Sequence, residues 1–98
     1  MATKKIISVD FEVYGRVQGV FFRKYTQGQA KKLGLRGWCM NTDEGTVTGV
    51  MEGDQKQIEE MKKWLQLTGS PQSKIEKAVF KNEKNVDVSG FKDFSIRH

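Results

Sequence analysis

Apolar and polar residues alternate strictly over residues 7–13, where one face carries Ile7, Val9, Phe11 and Val13. A period of two predicts a half-buried strand. Over residues 22–33 the period becomes helical, and one stripe is formed by Phe22, Thr26, Ala30 and Leu33. Gly34 follows at the position of a left-handed helix end. The first third of the chain is therefore predicted to form a strand, a loop and a helix.

The middle of the chain predicts a hairpin and a second helix. Residues 35–42 and 46–52 have the composition of strands, and Asp43-Glu44-Gly45 between them is a short turn. Asp54 is a predicted N-cap, with Gln57 as its partner in a capping box. The buried stripe of the helix that follows is Ile58, Met61 and Leu65.

Two more strands, around residues 74–84 and 91–96, complete the pattern. The order β-α-β-β-α-β predicts an α+β, ferredoxin-like sandwich, in which an antiparallel sheet carries two helices on one face. The last strand is an addition at the C-terminal end. In this topology the second strand lies beyond the third, not beside the first. Residues 1–98 are predicted to form one domain, because a second domain would be too small to bury a core.

Composition and charge exclude some classes of protein but do not identify the function. The longest apolar runs are far short of the roughly 20 residues that span a membrane, and residues 1–5 are followed by no apolar signal segment, so a cytoplasmic protein is expected. The net charge of +5 favours an anionic partner, although a solvated lysine-rich surface would have the same charge. Cys39 is the only cysteine, which excludes an intrachain disulfide and a cysteine-rich zinc site.

The most informative segment is a glycine-bracketed loop between the first strand and the first helix, formed by Gly15, Arg16, Val17, Gln18, Gly19 and Val20. Its backbone amides can converge on an anion, and the positive end of the following helix would reinforce them. Arg23, in the first helical turn, can add two charge-assisted hydrogen bonds to a phosphate. The alternative is a simple turn with a solvated arginine. The segment matches neither a Rossmann nor a Walker motif.

A second candidate is Asn41, at the end of the second predicted strand. Its amide has both a donor and an acceptor, so it could hold a water molecule for attack on phosphorus. The alternative is an asparagine that only begins the hairpin turn. Spacing alone does not establish whether Asn41 faces the loop. Thr42 is a candidate support for Asn41 or for the water.

These residues carry a resemblance to a known family. Residues 13–23, which run from Val13 through the glycine-bracketed loop to Arg23, resemble the first signature of the acylphosphatases without a departure. Residues 37–41, followed by Gly45, Val47 and Gly53, resemble the second signature. The length and the β-α-β-β-α-β order agree as well, so the resemblance covers essentially the whole chain.

The resemblance implies hydrolysis of an acyl phosphate to a carboxylate and inorganic phosphate, with no metal and no other cofactor. It gives Arg23 the role of phosphate-binding residue and Asn41 that of water-orienting residue. The amides of residues 15–20 would form the phosphate cradle. Inorganic phosphate is expected as product and inhibitor, and the protein is expected to be a monomer without nucleic-acid or membrane partners.

Other phosphatase chemistries fit the sequence poorly. A cysteine phosphatase needs Cys-x5-Arg, but Gly45 stands six residues after Cys39. His98, the only histidine, is expected to be a frayed chain end. Hydrolysis of an acyl phosphate also needs few catalytic groups. Its carboxylate leaving group has a conjugate acid with a pKa of about 4, so it departs without a general acid. No cluster of histidine and acidic residues suggests a two-metal centre.

The main alternative is a basic ferredoxin-like module that binds RNA or phosphate without catalysis. RNA-recognition motifs stack bases on aromatic residues of central strands, and residues 45–52 contain none, which argues against RNA. A catalytically inactive member of the family is disfavoured by the presence of Arg23 and Asn41. The aromatic residues are expected to pack in the core or support loops, not to stack on substrate; they are Phe21, Phe22, Trp38, Trp64 and Phe94. Nothing in the sequence indicates which acyl group is recognised.

Overall fold

The structure, a computed structural model, describes residues 6–98. Residues 1–5, on which the expectation of no signal segment rests, lie outside this range. The described chain forms five strands and two helices in the order β1 (Ile6–Arg16), α1 (Phe22–Lys32), β2 (Arg36–Asn41), β3 (Val47–Gly53), α2 (Gln55–Leu67), β4 (Lys74–Val86) and β5 (Phe94–Arg97). The predicted order of elements is therefore confirmed, with boundaries that differ by a few residues at most.

The five strands form one sheet in the order β4-β1-β3-β2-β5. As predicted, β2 lies beyond β3, and the four strands of the ferredoxin-like motif are antiparallel to their neighbours. The fifth strand differs, because β5 pairs in parallel with β2, with Gly37 opposite Phe94. The sheet is therefore mixed. The α+β, ferredoxin-like class is confirmed, and the added strand extends its β2 edge.

Both helices cover the same face of the sheet. The alternation in β1 buries Val9, Phe11 and Val13 as predicted. From α1 the buried residues are Phe22, Thr26 and Ala30, and from α2 they are Ile58, Met61 and Leu65. These apolar side chains meet in a single core, which is where burial of nonpolar surface stabilises the fold. The opposite face of the sheet has no helix against it in the described part of the chain.

The helix ends agree with the sequence in part. Gly34 has a φ of +73°, which confirms the predicted left-handed position after α1. Asp54 is the N-cap of α2 as predicted, and its carbonyl accepts a hydrogen bond from the Ile58 amide at 2.9 Å. Its side chain makes no capping hydrogen bond, so the predicted capping box with Gln57 is wrong. The Asp54 side chain is exposed.

Of the five aromatic residues named above, Trp38 is half-buried, with Cζ of Arg97 4.3 Å from its ring centroid, and the other four divide into two groups. Phe22 and Phe94 are buried, and the half-buried Trp64 packs on Phe22 with ring centroids 5.9 Å apart. For these residues the expected core role is confirmed. Phe21 is different: its side chain is 69% exposed, so it does not pack in the core, and support of the loop, the other role expected for it, stays a prediction. It is turned outward because the residues on either side of it point into the core.

Gly15 is required where β1 approaches β4. Its φ is +121°, and a Cβ there would lie 2.2 Å from the carbonyl oxygen of Lys74. We therefore expect Gly15→Ala to lower the free energy of unfolding by roughly 3 kcal/mol, measured by urea denaturation. The matched control is Gly28→Ala in α1, where a Cβ meets nothing within 4 Å and a gain of about 0.5–1 kcal/mol is expected. Equal stabilities of the two variants would contradict this account.

Candidate active site

The predicted glycine-bracketed loop is shorter in the structure than in the sequence analysis. β1 continues through Arg16, and Gly15 and Arg16 pair with Ile75 and Lys74 of β4. The register shifts between Tyr14 and Gly15, so the last part of the strand bends without leaving the sheet. The connection that is free of strand pairing covers residues 17–21. The predicted loop therefore began two residues too early.

Two buried side chains hold this connection in place. Val17 is 1% exposed and Val20 is 3% exposed, so both side chains belong to the core and the backbone between them lies at the surface. Gly19, between them, has a φ of +72°. Within residues 6–98, the amides of residues 17–21 donate no hydrogen bond, and the first bond of α1 runs from the Tyr25 amide to the Phe21 carbonyl. Such a run of free donors at a helix N-terminus suits an anion.

Gln18 ties the connection to the β2–β3 hairpin. Its Nε2 donates to the carbonyl oxygens of Thr42 at 2.8 Å and Thr46 at 2.9 Å. The side chain thus joins the loop after β1 to the turn that follows Asn41. Sequence analysis gave Gln18 only a backbone role, because its partners are distant in sequence and nothing local indicates them.

Arg23 lies in the first turn of α1 and is partly exposed. Its Nη1 donates to the Arg97 carbonyl at 3.3 Å and lies 3.3 Å from Nδ1 of His98. Within residues 6–98 both contacts of the guanidinium use Nη1, so the rest of its planar fork is available to a phosphoryl group. His98 was expected to be a frayed end, but its ring is placed against the predicted phosphate-binding residue.

Asn41 is the last residue of β2 and pairs with Val47 of β3. Its Oδ1 is buried and has no hydrogen-bond partner among residues 6–98. A buried acceptor without a partner is unfavourable, and native structures contain few of them. The arrangement suits an amide whose partner is a bound molecule. The alternative, an asparagine that only initiates the turn, does not account for this burial.

A single cavity brings the main candidates together. Its volume is about 300 Å³, and it is lined by Val17, Gly19, Phe21, Phe22, Arg23, Lys24, Asn41, Ile96 and His98. The question that spacing left open is thereby answered, because Asn41 faces the loop and Arg23. The lining does not include the other predicted site residues, which are Gly15, Arg16, Gln18, Val20 and Thr42.

Thr42 supports the turn that follows Asn41. Its Oγ1 lies 2.6 Å from Oγ1 of Thr46 and accepts a hydrogen bond from the Thr46 amide at 3.1 Å. The Thr46 hydroxyl in turn donates to Glu12 at 2.6 Å. Thr42 does not line the cavity, and its hydrogen bonds with Thr46 hold the turn at the end of β2.

A buried carboxylate positions β5 and hence the side of the cavity that β5 forms. Glu52 of β3 is 7% exposed and accepts hydrogen bonds from the Ser89 hydroxyl at 2.8 Å and the Gly90 amide at 2.9 Å. These bonds hold the segment that leads into β5, which carries Ile96 to the cavity and the Arg97 carbonyl to Arg23. Glu52 therefore supports the site indirectly, by holding the segment that precedes β5.

Glu52 also predicts a pH dependence of stability. Burial opposes its ionisation, but hydrogen bonds from Ser89 and Ser8 outweigh burial, so the pKa of Glu52 is below its usual value. The stability it contributes is complete above the unfolded-state pKa of about 4.3 and is lost as the pH falls through the folded-state pKa. We expect Glu52→Gln to weaken the fall in unfolding free energy below about pH 5. Urea denaturation at several pH values checks this, with the exposed Glu60→Gln as control.

Cys39 lies beneath the site but is not a nucleophile. Its Sγ is 3.8 Å from the carbonyl oxygen of Arg23, and its side chain is fully buried. Burial raises the pKa of the Cys39 thiol to about 12, although the nearby charge of Arg23 lowers it. The thiol is therefore neutral at physiological pH, and its role is packing between β2 and α1.

Residues 6–98 contain no group of three or more His, Cys, Asp and Glu side chains arranged to hold a metal ion. Neither helix in that range has the length and apolar character needed to cross a membrane.

The sequence model of the acylphosphatase family matches residues 9–96. Acylphosphatase-1 of Xenopus tropicalis is 54% identical over 96 residues, which cover 98% of both chains, and acylphosphatase-2 of Mus musculus is 52% identical over 98% of this chain and 91% of its own. The crystal structure of an acylphosphatase from Bacillus subtilis superposes with a TM-score of 0.87 at 34% identity, covering 94% of this chain and 99% of its own. The chain belongs to the acylphosphatase family and is an enzyme of that family.

Proposed function

We propose that this protein hydrolyses the carboxyl–phosphoryl bond of acyl phosphates, giving a carboxylate and inorganic phosphate without a metal ion. The observation that carries the proposal is the single cavity shared by Gly19, Arg23 and Asn41, which come from three different elements of the fold. A donor-rich loop, a cation and a buried amide are the groups that phosphoryl transfer to water requires.

The phosphoryl group binds between the loop and Arg23. The amides of residues 17–20, which donate no hydrogen bond within residues 6–98, bind the phosphoryl oxygens, and the guanidinium supplies the positive charge. Because these donors are held before substrate arrives, they stabilise the charge of the transition state without reorganising. The loop is kept in position by the buried side chains of Val17 and Val20 and by the two bonds of Gln18.

The nucleophile is a water molecule oriented by Asn41. The buried Oδ1 accepts a hydrogen bond from this water, which attacks phosphorus on the side opposite the acyl oxygen. The new P–O bond forms as the bond between phosphorus and the acyl oxygen breaks, and the electron pair leaves with the carboxylate. The proton of the water passes to a phosphoryl oxygen, so no protein base is needed.

The leaving group explains why so few residues are sufficient. A carboxylate whose conjugate acid has a pKa of about 4 departs as an anion at neutral pH. An ordinary phosphate ester would release an alkoxide and would need an acid. The site is therefore selective for acyl phosphates over phosphate monoesters.

The remaining expectations are part of the same proposal: a cytoplasmic monomer that binds its small substrate, with no nucleic-acid or membrane partner. One observation bears on the RNA alternative. Asp10 and Glu12 alternate with the buried residues of β1, so they lie on the open face of the sheet. An RNA-recognition motif stacks bases on that face, and these carboxylates would repel the RNA backbone.

Hydrolysis of benzoyl phosphate in the presence of EDTA tests the proposal, with p-nitrophenyl phosphate as the ester control. We expect turnover of the acyl phosphate, little or no turnover of the ester, and competitive inhibition by inorganic phosphate. A wild-type protein that leaves benzoyl phosphate intact would disprove the proposal. Activity that disappears with EDTA and returns with a metal ion would disprove the metal-independent mechanism.

A further inference from the structure

Phe21 combines two features that are unfavourable for a bulky apolar residue. It is a large aromatic side chain with 69% exposure, and its φ of 59° is in the left-handed region, which bulky residues rarely adopt. Other large exposed apolar residues, such as Leu67 and Val88, have an ordinary φ. Asn82 also has a positive φ, but asparagine tolerates that region and its Nδ2 is held by Asp10 at 2.7 Å.

The local sequence holds Phe21 in this position. Val20 and Phe22 are 3% and 1% exposed, so the core fixes the backbone on both sides. The Phe21 carbonyl accepts the first hydrogen bond of α1, from the Tyr25 amide at 3.1 Å. Because the side chains of Val20 and Phe22 point inward and the Phe21 carbonyl is hydrogen-bonded in the helix, the ring of Phe21 points outward. It lines the cavity that also holds Arg23 and Asn41.

Both polar and apolar side chains line the cavity. Arg23, Lys24, Asn41 and His98 bring polar groups, whereas Val17, Phe21 and Ile96 bring apolar surface. Val17 is buried, so Phe21 and the half-buried Ile96 present the accessible apolar surface. A phosphoryl group takes the polar groups, and the exposed ring of Phe21 is the large apolar surface of the lining that the rest of the substrate can contact.

We propose that Phe21 contacts the acyl group of the substrate and gives the enzyme a preference for aromatic or extended apolar acyl phosphates. The inference rests on the proposed function and names the acyl group that this function leaves open. Apolar contact between the ring and the acyl group removes nonpolar surface of both from water, and an aromatic acyl group can also stack on the ring. A short acyl group such as acetyl is too small to gain much from this contact.

The test compares kcat/KM for benzoyl phosphate and acetyl phosphate in the wild type, Phe21→Ala and Phe21→Leu. We expect Phe21→Ala to lower kcat/KM for benzoyl phosphate about tenfold while acetyl phosphate changes less than about twofold. Phe21→Leu keeps an apolar side chain and is expected to fall between. The inhibition constant of inorganic phosphate should stay the same in all three proteins, because phosphate does not reach the ring. Tyr25→Ala, an exposed aromatic of α1 that does not line this cavity, is the matched control and should leave the substrate ratio unchanged.

The outcomes separate this inference from the function on which it rests. If the wild type hydrolyses neither substrate, the proposed function fails. If the wild type is active but Phe21→Ala lowers both substrates equally, Phe21 only supports the loop and the inference is wrong. An unchanged substrate ratio in active Phe21→Ala, or an equal change in Tyr25→Ala, would overturn it as well.

Discussion

Replacing Arg23 with alanine is expected to lower kcat/KM for benzoyl phosphate about 10³-fold. Arg23 is the cation of the cavity whose planar fork is free to bind a phosphoryl group, and a single arginine that stabilises phosphoryl transfer is worth roughly 10³–10⁵ in rate. Because it also binds the product, the inhibition constant of inorganic phosphate should rise by about tenfold or more. Steady-state kinetics with phosphate as inhibitor measure both effects.

Two further variants make the Arg23 result specific. Arg23→Lys keeps the charge but not the fork, so an intermediate loss of activity is expected. Arg36→Ala removes an exposed arginine at the opposite end of β2 from Asn41 and should leave kcat/KM unchanged. Full activity of a folded Arg23→Ala protein would show that phosphate binds elsewhere.

Replacing Asn41 with alanine should affect turnover more than binding. The side chain orients the attacking water, and loss of such positioning costs on the order of 10²-fold in rate. We expect kcat to fall by about that factor, with little change in the inhibition constant of inorganic phosphate. This separation of kcat from phosphate binding distinguishes Asn41 from Arg23, whose loss weakens both.

A control variant and the stability of Asn41→Ala help to interpret the Asn41 result. Asn85→Ala removes an exposed asparagine of β4 and should leave kcat unchanged. Asn41→Ala also relieves a buried acceptor that has no partner among residues 6–98, so the variant should fold at least as well as the wild type. A parallel rise in the phosphate inhibition constant would place Asn41 on the phosphoryl group and not on the water.

The fold was predictable from sequence wherever periodicity was strong. The alternation of β1 and the helical stripes of α1 and α2 are dictated by burial on one face, and the structure confirms them. The parallel pairing of β5 was not predictable, because a four-residue strand has no pattern that selects its partner. The capping box at Asp54 failed since spacing permits that hydrogen bond without requiring it.

The sequence predicted candidate residues for the site but not how they are arranged. Glycines and an arginine at a strand–helix junction indicate an anion site, and the resemblance brought in Asn41. That Asn41 faces Arg23 depends on the order of strands and on the contacts of Gln18, which are long-range. Phe21 was expected to pack in the core or to support the loop. Its exposure and its left-handed backbone, which exclude the core role, were not predicted.

The pairing of β5 with β2, and of β1 with β4, has a consequence for how the chain acquires activity. Ile6 lies opposite Val86 and Gly37 opposite Phe94, so most of the chain lies between paired residues. Closing such large loops lowers the entropy of the chain before the paired strands gain their stabilising contacts. Domains in which paired strands are far apart in sequence therefore fold in milliseconds to seconds. Since the cavity needs the loop after β1, the end of β2 and the residues of β5, hydrolysis should return during refolding only after the last strand has docked.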